Sequence, residues 1–155
     1  MKRFITIAML MLSCCGMFAQ KHVTMDLNGL VIGQTYTKKQ VVAKLGEPVA
    51  YRSSDSEVGL DELFFYGKDH NTEVDLHNDG VFSFFSVAEK NMPILTNLIA
   101  GGIHVGENIS AMKKVGIPYE YHKKGEYIMM FYDDLLLIRV DDKDIITRFI
   151  YIVPD

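Results

Sequence analysis

The chain has no tryptophan, only four prolines, and two cysteines that stand side by side as Cys14-Cys15. It has no excess of basic charge either: 16 Lys and Arg stand against 20 Asp and Glu. A net charge of −4 argues against a nucleic-acid binder, because phosphate neutralisation needs a basic surface. No Gly-x-Ser-x-Gly, phosphate loop, dinucleotide fingerprint or His-Glu-x-x-His occurs, and nothing calls for a cofactor. What is present is a hydrophobic content of 48% in 155 residues, with eight Tyr and nine Phe as aromatic bulk. That is enough for a packed core and too apolar for a disordered chain.

Met1-Lys2-Arg3 followed by the apolar run Phe4 to Phe18 has the anatomy of a secretory leader, over residues 1–19 with cleavage after Ala19. The run is short for a membrane span. An alternative is a lipoprotein box at Met11-Leu12-Ser13-Cys14, with Cys14 lipidated and the protein held on a membrane. Either way the chain is expected to be exported, to the periplasm or beyond. Removal of 1–19 takes both cysteines with it and leaves 14 basic against 20 acidic side chains, a net −6. No disulfide, thiol nucleophile or thiolate ligand then remains, and stability rests on packing.

The remainder repeats itself. Gly29-Leu30-Val31-Ile32-Gly33 recurs as Gly102-Ile103-His104-Val105-Gly106, and Gly46-Glu47-Pro48 as Gly116-Ile117-Pro118. Phe64-Phe65-Tyr66 aligns with Met130-Phe131-Tyr132, and the segment from Leu76 with that from Val140. The expected organisation is a first repeat over 20–87, a linker over 88–99 and a second repeat over 100–155. The fold class expected is α+β: two tandem repeats, each a short helix plus about four antiparallel strands, sharing one curved sheet with the helices on one face. In the first repeat Thr37 and Gln40 are placed as a capping box, Val41, Val42 and Leu45 face inward, and Gly46 and Pro48 stop the helix. In the second, Asn108 is the cap and Ile109, Met112 and Val115 face inward.

The stretch Thr37-Lys38-Lys39-Gln40-Val41-Val42-Ala43-Lys44-Leu45-Gly46-Glu47-Pro48 resembles the Thr-x-x-Gln-Val-x-x-x-Leu-Gly-x-Pro segment of the SmpA/OmlA (BamE) family of envelope proteins. Two such units in tandem look like the architecture of the β-lactamase inhibitory protein. That resemblance implies a single curved sheet that binds a protein on its concave face, in an inhibitor-like or assembly-factor-like role.

Two helices of about 14 Å cover one face of a sheet about 38 Å wide and leave the other open. Charged residues mark the open face if strands pair without bulges. Asp75 marks β-run 73–77, with Arg139 on the matching run. Arg148 marks 145–153 and, by alignment, Phe82 and Phe84; Glu62 marks Phe64 and Tyr66, and by alignment Met130 and Tyr132. The expected partner-binding set is therefore Phe64, Tyr66, Asp75, Phe82, Phe84, Met130, Tyr132, Arg139 and Arg148. Aromatic side chains interleaved with Arg suit a protein interface. Cover by a loop or by the linker, and a homodimer through the same face, remain open, as does a small-ligand or cell-wall-fragment site or a weak carboxylate hydrolase built on Glu62 and Asp75. Asp75 to Gly80 fails as a calcium loop because His77 and Ser86 occupy ligand positions, and Asp69, His70, Glu73, Asp75 and His77 read as exposed polar alternation more than as a metal site. The expectation is a non-catalytic protein-binding module without metal or cofactor.

Overall fold

The computed structural model describes residues 24–131 and 134–152; the expected leader over 1–19, Cys14 and Tyr132 lie outside the described residues. The described residues open with a two-stranded ribbon, β1 (Asp26–Leu27) and β2 (Leu30–Val31), followed by helix α1 (Lys38–Leu45). Four strands follow as a meander: β3 (Ala50–Ser56), β4 (Gly59–Tyr66), β5 (Thr72–His77) and β6 (Val81–Val87). A crossing segment leads to a short 3-10 helix (Ile109–Val115) and four more strands: β7 (Tyr119–Lys123), β8 (Glu126–Phe131), β9 (Asp134–Val140) and β10 (Ile146–Ile152). All eight form one antiparallel sheet in the order β3-β4-β5-β6-β10-β9-β8-β7.

This mainly-β architecture corrects the expectation of an α+β chain built from two helix-plus-strands repeats. Among the described residues there are two sheets and two helical segments, and only one of the two is an α-helix. That helix forms for the expected reasons. Gln40 N donates to Thr37 Oγ1 at 3.4 Å, Thr37 N donates to Gln40 Oε1 at 2.8 Å, and Gly46 at φ 88° ends the last turn by donating to Val42 O. The second segment winds more tightly because both ends are held. Ile109 N donates to Asp144 O in the β9–β10 turn, and Gly116, left-handed at φ 74°, closes the other end on Lys113 O. Seven residues reach about 14 Å as a 3-10 helix and about 10 Å as an α-helix.

The core lies on one side of the sheet. Val41 and Leu45 of α1, Ile109 and Met112 of the 3-10 helix, and Met92, Ile94 and Leu95 of the crossing segment pack there with Val74, Leu136, Ile138 and Phe149. At the centre, Phe82, Phe85 and Tyr151 stack with centroids 6.0 and 5.7 Å apart, joining β6 to β10. The crossing segment is tied in by bridges from Ile94 to Leu27 and Ile103. A fully buried carboxylate, Asp26, takes hydrogen bonds from Gly29 N, Thr96 Oγ1 and Asn97 N. The segment expected as a possible cover for the outer face thus belongs to the inner one.

Candidate functional site

The outer face of the sheet is lined by residues two apart on each strand, and its rows follow from the register. One row runs Phe65, Glu73, Ser86, Ile150, Leu137, Ile128 and Glu120 across β4, β5, β6, β10, β9, β8 and β7. A parallel row begins Leu63, Asp75, Phe84 and continues on the far half as Ile152, Leu135, Met130. Most of these apolar side chains are half-buried, while Met130 is 50% and Ile152 39% exposed. The result is an apolar band spanning about 24 Å between β4 and β8, open to solvent.

Five of the nine expected residues lie on this face: Asp75, Phe84, Met130, Arg139 and Arg148. Phe64, Tyr66 and Phe82 do not, and their placement is corrected: all three are buried in the core. Tyr132 lies outside the described residues. Two physical causes account for the three corrections. On β4, Glu62 had marked the outer face, but it points inward at 8% exposure and accepts a hydrogen bond from Tyr51 OH on β3. A buried carboxylate with such a partner is tolerated, so Glu62 carries Phe64 and Tyr66 inward with it. On β6, a bulge falls where Asp75 opposes Phe84 while Leu76 opposes Phe82. The extra residue, Ser83, puts Phe82 and Phe85 on the same inner side and leaves Phe84 outside. A second bulge at Thr147 on β10 likewise turns Ile146 inward.

The residues missed by sequence are Leu63 and Phe65, which replace Phe64 and Tyr66, together with Leu135 and Ile152. Their signal was present in β4, where Leu63-Phe64-Phe65-Tyr66 offers an apolar residue on both faces.

Charges flank the band. Asp75 has a side chain only 13% exposed, and its carboxyl is pushed up to about 7, first by burial and then by the neighbouring Glu73 and Asp61. His77 lies against Asp61 at 3.2 Å and farther from Asp75, at 3.9 Å. At the opposite end, Glu126 takes Lys123 and Arg139, each at 3.1 Å, and these partners hold its carboxyl below the usual range. Arg148 donates to Ser86 Oγ at 3.4 Å.

The carboxylate pair considered for hydrolysis does not assemble: Glu62 opposes Leu76 and faces the core, whereas Asp75 faces out. The Asn78-Asp79-Gly80 segment is a left-handed turn, with Asp79 Oδ1 accepting from Leu60 N at 2.9 Å to stitch the neighbouring hairpin. Among the described residues no three His, Cys, Asp or Glu side chains converge as a metal site. A half-open hollow at one end of the band is lined by Ile117, Pro118, Glu120, Ile128 and Met130.

No family model matches the chain, and no curated protein matches it. A solved structure of an extracellular protein containing an SCP domain, from Bacillus anthracis str. Ames, superposes with a TM-score of 0.46 at 17% identity over 78% of this chain. The chain spans 43% of that protein's length, and the likeness assigns neither family nor function.

Proposed function

We propose that this chain is an exported, non-catalytic protein-binding module that engages its partner through the outer face of the eight-stranded sheet. The observation that carries the reading is the apolar band from Leu63 and Phe65 to Ile128 and Met130, on the face opposite the one where the described helices and crossing segment pack. Contiguous apolar surface of this extent marks interaction sites on soluble proteins. Its breadth suits a protein more than a small ligand, which is held in a concave pocket. The leader-like residues 1–19 and the resemblance of Thr37 to Pro48 to the SmpA/OmlA segment support a place in the cell envelope or outside it.

The test is affinity capture from the native envelope after mild crosslinking, using the wild type beside Phe84→Ser and Met130→Ser variants. A stoichiometric protein held by the wild type and lost from both folded variants supports the reading. Capture that survives both substitutions removes the sheet face from the interaction. Capture of nothing withdraws the binding-module assignment and moves the search to small ligands.

A further inference from the structure

The two edges of the eight-stranded sheet are finished differently. β7 is five residues long, is bulged at His122, and ends on Lys123, which is tied to Glu126 at 3.1 Å. A short strand, a bulge and a lysine are devices that keep an edge from pairing with another chain. β3 has none of them. Its seven residues pair with β4 without a slip from Ala50 to Ser56, it holds no Lys or Pro, and Arg52 to Ser56 are all exposed. Its charged side chains are Arg52 and Asp55, and neither forms an ion pair among the described residues. Exposed apolar side chains stand at both ends, Val49 at 57% and Val58 at 70%.

The register determines which backbone groups of β3 are open. The two-residue turn Glu57-Val58 makes Ser56 and Gly59 a mutually hydrogen-bonded pair, and alternation then gives Ser54 and Arg52 to β4. Asp55, Ser53 and Tyr51 turn their N–H and C=O the other way, where no backbone group among the described residues meets them. Three donors and three acceptors are thus set along about 14 Å of edge.

A second copy of β3 is a poor occupant. In an antiparallel pair of copies, a two-fold axis centred on Arg52 or Asp55 sets that charge directly opposite itself. Centred on Ser53 it sets Arg52 diagonal to itself, and centred on Ser54 it does the same to Asp55. Like charges so placed repel. A strand of different sequence escapes this. Running antiparallel to β3, it meets Asp55 first and Arg52 three residues later, so its complement is a base followed, three positions on, by an acid.

We infer that β3 accepts an extended segment of another protein as an added antiparallel strand, with a basic residue opposite Asp55 and an acidic residue opposite Arg52. Main-chain hydrogen bonds supply the affinity, and the two charges set register and direction. The inference uses backbone groups at the rim of the sheet and is independent of the reading of its outer face.

The experiment is nuclear magnetic resonance of amide exchange on the isotope-labelled chain from Gln20 onward, which carries every described residue. The probe is the peptide acetyl-Thr-Lys-Thr-Val-Glu-Thr-Val-amide, which lies along Ser56 to Ala50 in that register. In the free chain the amides of Ser53 and Asp55 exchange quickly and those of Arg52 and Ser54 slowly. Millimolar peptide is expected to slow exchange at Tyr51, Ser53 and Asp55 by about tenfold. Exchanging Lys and Glu in the peptide weakens binding about fivefold or more, and Arg52→Glu with Asp55→Lys restores it for the exchanged peptide. Ser53→Pro removes one outward N–H and no bond to β4, and abolishes binding in a chain that circular dichroism shows to be folded. Should the proline variant unfold, the charge exchange carries the test alone. No protection at the solubility limit of the peptide overturns the inference, as does protection confined to β7 or equal binding of the two peptides. A free chain that is dimeric, with Ser53 and Asp55 already protected, overturns it in favour of a second copy.

Discussion

Asp75→Asn should stabilise this protein, and the gain should depend on pH in a way that identifies its cause. The carboxyl is raised from 3.8 to about 7 by burial between Leu63 and Phe84 and by the acids Glu73 and Asp61. Below about pH 4 it is protonated in both the folded and the unfolded chain and contributes no slope. Between about pH 4 and 7 the unfolded chain has lost a proton that the folded chain keeps, so folding stability falls as pH rises. Above about pH 7 both forms are ionised and the full penalty is in place. The rise from 3.8 to about 7 corresponds to about 4 kcal/mol, an upper value because water entering the site relieves part of it. Asparagine carries no charge in either state, so the stability difference between variant and wild type should grow by about 2 to 4 kcal/mol from pH 4 to pH 8. With no tryptophan, urea unfolding is followed by far-ultraviolet circular dichroism. The other titrating groups are common to both proteins and largely cancel in the difference. A difference that stays flat across this range, or that shrinks as pH rises, refutes the argument that Asp75 is desolvated without compensation.

Two further substitutions probe the fold that presents the face. Phe82→Ala should cost about 3 to 5 kcal/mol in urea unfolding and Phe84→Ala about 1 kcal/mol or less, because the bulge buries the first ring and leaves the second outside; equal costs would restore an unbulged register. Asp26→Ala should cost about 3 kcal/mol or more, seen as a fall of about 10 °C in Tm, because it strands the donors Gly29 N, Asn97 N and the Thr96 hydroxyl.

The local elements were legible where a few adjacent residues decide them. Thr37, Gln40 and Gly46 define one helix from start to stop, and no distant contact contests them. The same logic applied to Asn108 and Gly116 located a helical segment but not its winding, because the deciding contact is a hydrogen bond to Asp144, some 35 residues on. That distant tether, with the ribbon of β1 and β2, is also why a pattern of repeated motifs did not translate into two repeated α+β units. The candidate face was legible in its charges on β5, β9 and β10, where Asp75, Arg139 and Arg148 stand as alternation requires. It was illegible across β6, because a bulge inserts one residue without a sequence signature and reverses every side chain on one side of it.

Glu62 and Asp75 show why charge alone does not tell the two faces of this sheet apart. Both are strand carboxylates with little exposure; Glu62 lies between Ser53 and Leu76, and Asp75 between Leu63 and Phe84. Glu62 accepts a hydrogen bond from Tyr51 OH, and Lys38 Nζ stands 3.5 Å from the centre of that ring, so the inner site supplies its own donor and a nearby cation. Asp75 has one buried oxygen with no donor, His77 at 3.9 Å from the other, and two acids for neighbours. Burying an unpaired charge costs several kcal/mol, and pairing it with an incoming cation recovers much of that. A carboxylate completed within its own chain therefore sits in the core at little cost, whereas one left without a donor carries the desolvation that raises its carboxyl to about 7.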